Sequence, residues 1–156
     1  MEYKIFEPKY YEDLNVGDHW VTPTRTVTDA DIVQFDNLGW ITERIFVDEK
    51  FIKEKTLFKP TAKKTYVTLI FSVGLFTNLH LIDETALAMV GIEAKFMQPL
   101  FPGDTICVEV DVISKRETSK ADRGIVCFKY TTKNQEDEIL AETIETALIR
   151  HKASLA

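Results

Sequence analysis

Cysteine, histidine and glycine are all scarce in this 156-residue chain, which has two, three and six of them. Two cysteines and three scattered histidines cannot make a disulfide framework and do not form a metal-ligand cluster, so no metal and no cofactor are expected. Cys107 and Cys127 both lie inside apolar runs, which predicts core thiols in a reducing compartment. No glycine-rich phosphate loop and no nucleophile elbow occurs. Long apolar runs are missing too. The longest, Tyr66 to Phe76, is about half of what spans a bilayer and reads as a buried core helix. The opening Met1–Glu7 is mixed in charge and lacks the apolar stretch of a signal peptide, so the cytoplasm is the expected location. Positive charge is in deficit, with 19 Lys and Arg against 25 Asp and Glu. The net charge of −6 argues against nucleic acid and anionic membrane surfaces as partners, since both need clustered Lys and Arg.

What is present suits one domain over residues 1–156. Apolar residues make up 45% and charged residues 28%, enough to bury a core without disulfides. The organisation changes near residue 82, from helix and loop to strand. Thr28 followed by Asp31 is a capping signal for a helix through Phe35. Val47–Lys53 reads as a short second helix with Phe51 and Ile52 inward. The third helix is expected from Pro60–Ala62 to about Leu81. It is apolar almost all round, which predicts burial on every face. Gly74 inside it costs about 1 kcal/mol relative to Ala, so another backbone is expected close by. Four strands follow: Ala88–Phe96, Thr105–Ile113, Gly124–Thr132 and Glu142–Arg150. Ile106, Val108, Val110 and Val112 alternate onto one face. Pro102-Gly103-Asp104 and residues 135–138 are the turns. A buried helix followed by antiparallel strands predicts an α+β fold with a curved sheet wrapped around the helix.

Three stretches carry a family resemblance most clearly, and Arg123–Glu138 (RGIVCFKYTTKNQEDE) resembles the strand and hairpin that follow them in the same family. Tyr10–Asp18 (YYEDLNVGD) resembles the opening F-E-D-L-x-V-G-D of the MaoC-like dehydratases and (R)-specific enoyl-CoA hydratases. Arg25–Phe35 (RTVTDADIVQF) resembles the entry to their first helix. Phe96–Glu117 (FMQPLFPGDTICVEVDVISKRE) resembles their F-x-x-P-V-F-P-G-D-T-I segment and is the most specific of the three. The similarity runs over residues 10–151. It implies a single hotdog domain, paired as a homodimer or heterodimer with another hotdog subunit. It also implies an acyl-CoA or acyl-carrier-protein thioester as ligand.

The family's chemistry is addition of water to an enoyl thioester by an Asp/His dyad acting as general acid and base. The dyad sits in a motif like G-D-x-N-P-L-H-x-D, which aligns here without a gap from Phe35 to Asp48. The resemblance then puts Ile41 at the catalytic Asp position, Glu43 and Arg44 at Asn-Pro, and Phe46 at the His position. Asp48 stays as the family has it. The oxyanion-hole stretch at the start of the central helix, like A-H-G-M, falls on Lys64 and Thr65. Ile41 and Phe46 cannot transfer a proton, so standard hydration by this chain alone is not expected. Three functions stay open: an acyl-thioester binding subunit beside a catalytic homologue; an active hydratase, dehydratase or thioesterase with a site rebuilt on Glu43, Arg44 or Lys64; and a ligand-sensing or structural hotdog dimer. Substrate-binding candidates are Trp40, Lys63, Lys64, Thr65 and Tyr66. Trp40, Ile41, Phe46 and Phe58 make the former site apolar, either filled by side chains or open as an acyl tunnel.

Overall fold

The computed structural model describes residues 7–57 and 65–155. Among the described residues, four α-helices lie in the first half: α1 (Asp29–Leu38), α2 (Arg44–Val47), α3 (Glu49–Lys55) and α4 (Thr65–Thr77). The strands are β1 (His19–Val21), β2 (Arg25–Thr26), β3 (Ala86–Phe96), β4 (Thr105–Glu117), β5 (Arg123–Lys133) and β6 (Ile139–Arg150). They form an antiparallel sheet in the order β1-β4-β5-β6-β3, with β2 also on β4. Register shifts interrupt β3, β4 and β5 against their neighbours. Such extra residues bend a strand and sharpen its twist, and they help curl this sheet around α4. The expected α+β hotdog architecture is therefore present.

The alternating residues of β4 explain the core. Ile106, Val108, Val110 and Val112 are fully buried on the concave face. Val126, Phe128 and Tyr130 of β5 stand beside them, under Phe76 of α4. Ser72 pins α4 to the sheet, its Oγ 2.6 Å from Thr132 Oγ1 and 2.6 Å from the Thr68 carbonyl oxygen. The cysteines depart from expectation. Both are half-buried, because Cys107 and Cys127 fall one residue out of phase with the inward series and point to the other face.

The short strands β1 and β2, absent from the sequence reading, line the outer edge of β4. The capping signal on α1 is realised. Thr28 Oγ1 accepts from the Asp31 N–H at 3.2 Å, and Asp31 Oδ2 accepts from the Thr28 N–H at 2.9 Å. The second helix divides at Asp48 into α2 and α3. The central helix stops at Thr77 rather than Leu81. Its expected start at 60–62 lies outside the described residues.

Two expectations for α4 are corrected. Val67, Ser72, Leu75 and Phe76 are buried, but Tyr66 and Ile70 are more than half and about half exposed. One concave sheet covers one side of a helix, so the stripe Tyr66–Ile70–Gly74 stays open. Gly74 also has no close neighbour, since a Cβ added there meets nothing within 4 Å. Gly74→Ala is accordingly expected to stabilise the fold by about 1 kcal/mol through helix propensity alone. Urea denaturation checks this, and a loss of stability would show that something packs against that face.

The carboxyl end is clasped to the lead-in segment. His151 Nδ1 lies 2.8 Å from Glu12 Oε1 and its Nε2 3.1 Å from Glu117 Oε2. The Glu12 hydrogen bond holds the imidazole above its ordinary range, against a smaller opposing effect of burial. A group whose pKa rises on folding stabilises fully below its unfolded value, near 6.5, and ceases to as pH climbs through the folded value. His151→Gln is therefore expected to cost roughly 0.5–1 kcal/mol at about pH 6 and almost nothing at about pH 9. Equal losses at both pH values would remove the charge from the explanation.

Candidate functional site

The loop from Gly39 to Asp48 is built by hydrogen bonds of its own. The Gly39 N–H donates to the Phe35 carbonyl at 2.8 Å and closes α1, and the Ile41 N–H reaches the Asp36 carbonyl at 2.9 Å. Trp40 between them takes a left-handed φ of 55°. Such a φ turns the chain sharply and is uncommon outside glycine. It throws the indole outward, and Trp40 is 87% exposed. Trp40 therefore does not fill the site region. Ile41 and Phe46 are half-buried.

Arg44 and Asp48 form a unit. Arg44 Nε and Nη2 lie 3.1 and 2.8 Å from Asp48 Oδ2, and the guanidinium sits 4.4 Å over the Phe51 ring. Asp48 Oδ1 accepts from the Phe51 N–H at 2.9 Å and caps α3. That backbone bond, with Arg44 adding to it, holds the Asp48 carboxyl below its usual range. Asp48 thus carries a structural charge, and Arg44 is engaged by both a carboxylate and a ring. The i, i+4 spacing of Arg44 and Asp48 was the sequence signal for this pair. Glu43 stands at the N-cap position of α2 without a side-chain cap bond and faces solvent. Tyr66 is on the open stripe of α4. Lys63, Lys64 and Phe58 lie outside the described residues, and Thr65 is the first described residue of α4.

Each histidine is held by a carboxylate. His19 Nδ1 lies 2.7 Å from Asp111 Oδ1, and His80 Nδ1 2.6 Å from Asp83 Oδ2. Among the described residues, no group of three His, Cys, Asp or Glu could hold a metal.

A cavity of about 320 Å³ opens between the carboxyl half of α4 and the paired strands β3 and β6. Val73 and Phe76 of α4 roof it, Leu81 and Ile82 close one end, and Leu87 and Met89 of β3 and Ala147 of β6 form the walls. One buried ionisable side chain joins this apolar lining: Glu145, only 6% exposed. The sequence reading passed over Glu145. The signal was there, since Thr143, Glu145, Ala147 and Ile149 share one face of an alternating strand. Among the described residues the outer edge of β3 has no partner strand in the sheet, and Met89, Val90 and Ile92 are exposed along it.

A helix laid on the concave side of a curled antiparallel sheet, with a cavity between them, defines this chain as a hotdog protein. Comparison with known proteins narrows the class. Over 117 residues, 74% of this chain and 33% of the relative, the chain is 34% identical to Protein MaoC of Klebsiella aerogenes. It is 24% identical over 154 residues to a β-methylmalyl-CoA dehydratase of Chloroflexus aurantiacus, covering 97% of this chain and 43% of the relative. Among solved structures, a monoamine oxidase regulatory protein from Archaeoglobus superposes with a TM-score of 0.83 at 30% identity, over 93% of this chain and 96% of that one. The chain belongs to the MaoC-like family of dehydratases and hydratases. It spans between a third and a half of the length of these two curated relatives. No family model matches it. No described helix is long and apolar enough to cross a membrane.

Proposed function

We propose that this chain binds an acyl thioester without hydrating it alone, and serves as the non-catalytic member of a hotdog pair. The observation that carries the reading is the apolar cavity under α4, whose size and lining suit an acyl chain. The relative named as a β-methylmalyl-CoA dehydratase supports a CoA thioester as the ligand class. Ile41 and Phe46, aligned with the dyad positions, have no group that moves a proton. Arg44 is tied to Asp48, and Asp48 is occupied as a helix cap. Neither is free to act as a substitute acid or base. The partner subunit docks on β3, because a long apolar edge strand is a template for pairing. A cytoplasmic setting belongs to the same reading and fits the two free thiols.

The test combines calorimetry with an assay of crotonyl-CoA and longer enoyl-CoAs, the chain alone and with homologous catalytic subunits. Binding without hydration by the lone chain is expected, with hydration only in the mixed pair. Turnover by the lone chain would overturn the non-catalytic reading. Its loss in Glu43→Gln would then assign the base to Glu43. Absence of acyl-CoA binding would overturn the ligand class as well.

A further inference from the structure

Glu145 is a poor residue for the place it occupies. Its cross-strand neighbours are Phe128 and Ile92, and the helix side chains lining the same cavity are Val73, Phe76 and Thr77. It forms no ion pair with any described residue. Burial pushes its carboxyl up towards the neutral form, against a smaller opposing effect of the nearby Tyr130 hydroxyl. Two more polar atoms stand on the same concave face. Tyr130 and Thr143 face one another across β5 and β6. Both are fully buried; among the described residues Thr143 Oγ1 has no hydrogen-bond partner, and Tyr130 Oη has none at normal hydrogen-bonding distance, though it lies close enough to the Glu145 carboxyl for each to perturb the other. The Tyr130 ring is anchored by stacking on Phe76 at 4.9 Å, and Phe76 roofs the cavity.

A buried polar atom without a partner is costly, and here a carboxyl lines an apolar cavity while two hydroxyls are packed behind it, outside the cavity lining. A core built only for stability would place Leu or Val there, as β4 does at Ile106, Val108 and Val110. A ligand that brings its own donor and acceptor would satisfy the Glu145 carboxyl. We infer that Glu145, with Tyr130 and Thr143 behind it, is a polar seat that selects acyl groups carrying an uncharged hydroxyl or amide beyond the thioester, rather than plain alkyl chains. The inference rests on the acyl-thioester reading above and deepens it. The apolar walls hold the methylenes, and the seat reads what the chain carries at its far end. A terminal carboxylate is disfavoured, because no cation stands among the described cavity-lining residues to receive it.

Calorimetry of the full chain with paired acyl-CoAs, plain and ω-hydroxylated at each length from butanoyl to decanoyl, tests this. At the length that spans the cavity, the hydroxylated member is expected to bind roughly three- to tenfold more tightly than its plain counterpart. The matching ω-carboxylate is expected to bind more weakly than the hydroxylated member. In Glu145→Leu the preference vanishes or reverses, plain chains bind at least as well, and the melting temperature does not fall. Glu145→Gln, which can still donate and accept, retains part of the preference. Should Glu145→Leu fail to fold, Glu145→Gln combined with Thr143→Val carries the test, with loss of the preference expected. Plain acyl-CoAs binding with no hydroxyl preference at any length would overturn the seat and leave the acyl reading standing. No acyl-CoA binding at all would overturn both. An unchanged preference in folded Glu145→Leu would show that Glu145 is not the selecting group.

Discussion

Phe128→Ala is expected to destabilise the protein by about 3–5 kcal/mol, in the range for a buried aromatic truncated to alanine. At about 2–4 °C per kcal/mol for a chain of this size, the melting temperature should fall by roughly 10 °C. Phe128 is fully buried at the centre of β5, between Val112 of β4 and Glu145 of β6. Its ring lies 5.3 Å from that of Phe76, centroid to centroid, so it helps to join α4 to the sheet. Removing it leaves a hole that a helix held at several other points cannot close. The buried Glu145 carboxyl would gain a water-sized space beside it, which tempers the loss by letting solvent reach a polar atom. Thermal and urea unfolding measure the effect. A loss under about 1 kcal/mol would mean that α4 does not rest on the sheet as described.

Gly124→Ala is the second large effect, an expected loss of about 2–3 kcal/mol from a single added methyl. A Cβ built at Gly124 would stand 2.2 Å from Tyr11 Cε2 and 2.4 Å from its Cδ2. The ring cannot step aside. Tyr11 is 5% exposed, Lys115 Nζ lies 4.2 Å over its ring, and the His151 ring lies 4.6 Å away. Lys115 Nζ is itself held by the Tyr11 and Leu14 carbonyl oxygens at 2.7 and 2.6 Å. The added methyl therefore pushes on a packed assembly that fixes the lead-in segment across β4 and β5. The control is a double-mutant cycle with Tyr11→Leu. Most of the cost of Gly124→Ala should disappear in that background, giving a coupling above about 1 kcal/mol. Additive losses would place the cost in the strand backbone instead.

Gly124 also marks where reading the sequence runs out. It begins a predicted strand, and nothing within ten residues of it explains why the side chain must be a hydrogen. The reason is Tyr11, more than a hundred residues away. Gly74 is the opposite case. Its position inside an apolar helix suggested close packing, but the structure leaves that side open, so its cost is not offset by a described contact. Both are glycines in regular elements, and local pattern cannot tell them apart, because the deciding atom lies on another element.

The candidate site divides in the same way. Ile41, Glu43, Arg44, Phe46 and Asp48 were singled out by alignment, and their types already limit proton transfer. Their engagement was not foreseen: Arg44 is spent on Asp48 and Phe51, and Trp40 turns outward on a left-handed residue. Glu145 was legible in principle from the alternation of β6. It was overlooked because a lone carboxylate in a strand ordinarily faces water.

The sequence alone determined the four long strands, the faces of those strands and the start of α1. Period-two alternation sets which side of β4 is apolar, Thr28 and Asp31 start α1, and Gly103 with its φ of 96° turns the chain into β4. These are local effects, settled by neighbours a few residues apart. Only the tertiary structure decided what each face meets: Phe76 above Phe128, Tyr11 against Gly124, an open stripe on α4, and a buried carboxyl at the floor of a cavity. Those outcomes depend on the curvature of the sheet and on contacts between distant segments, which alternation orients but does not pair.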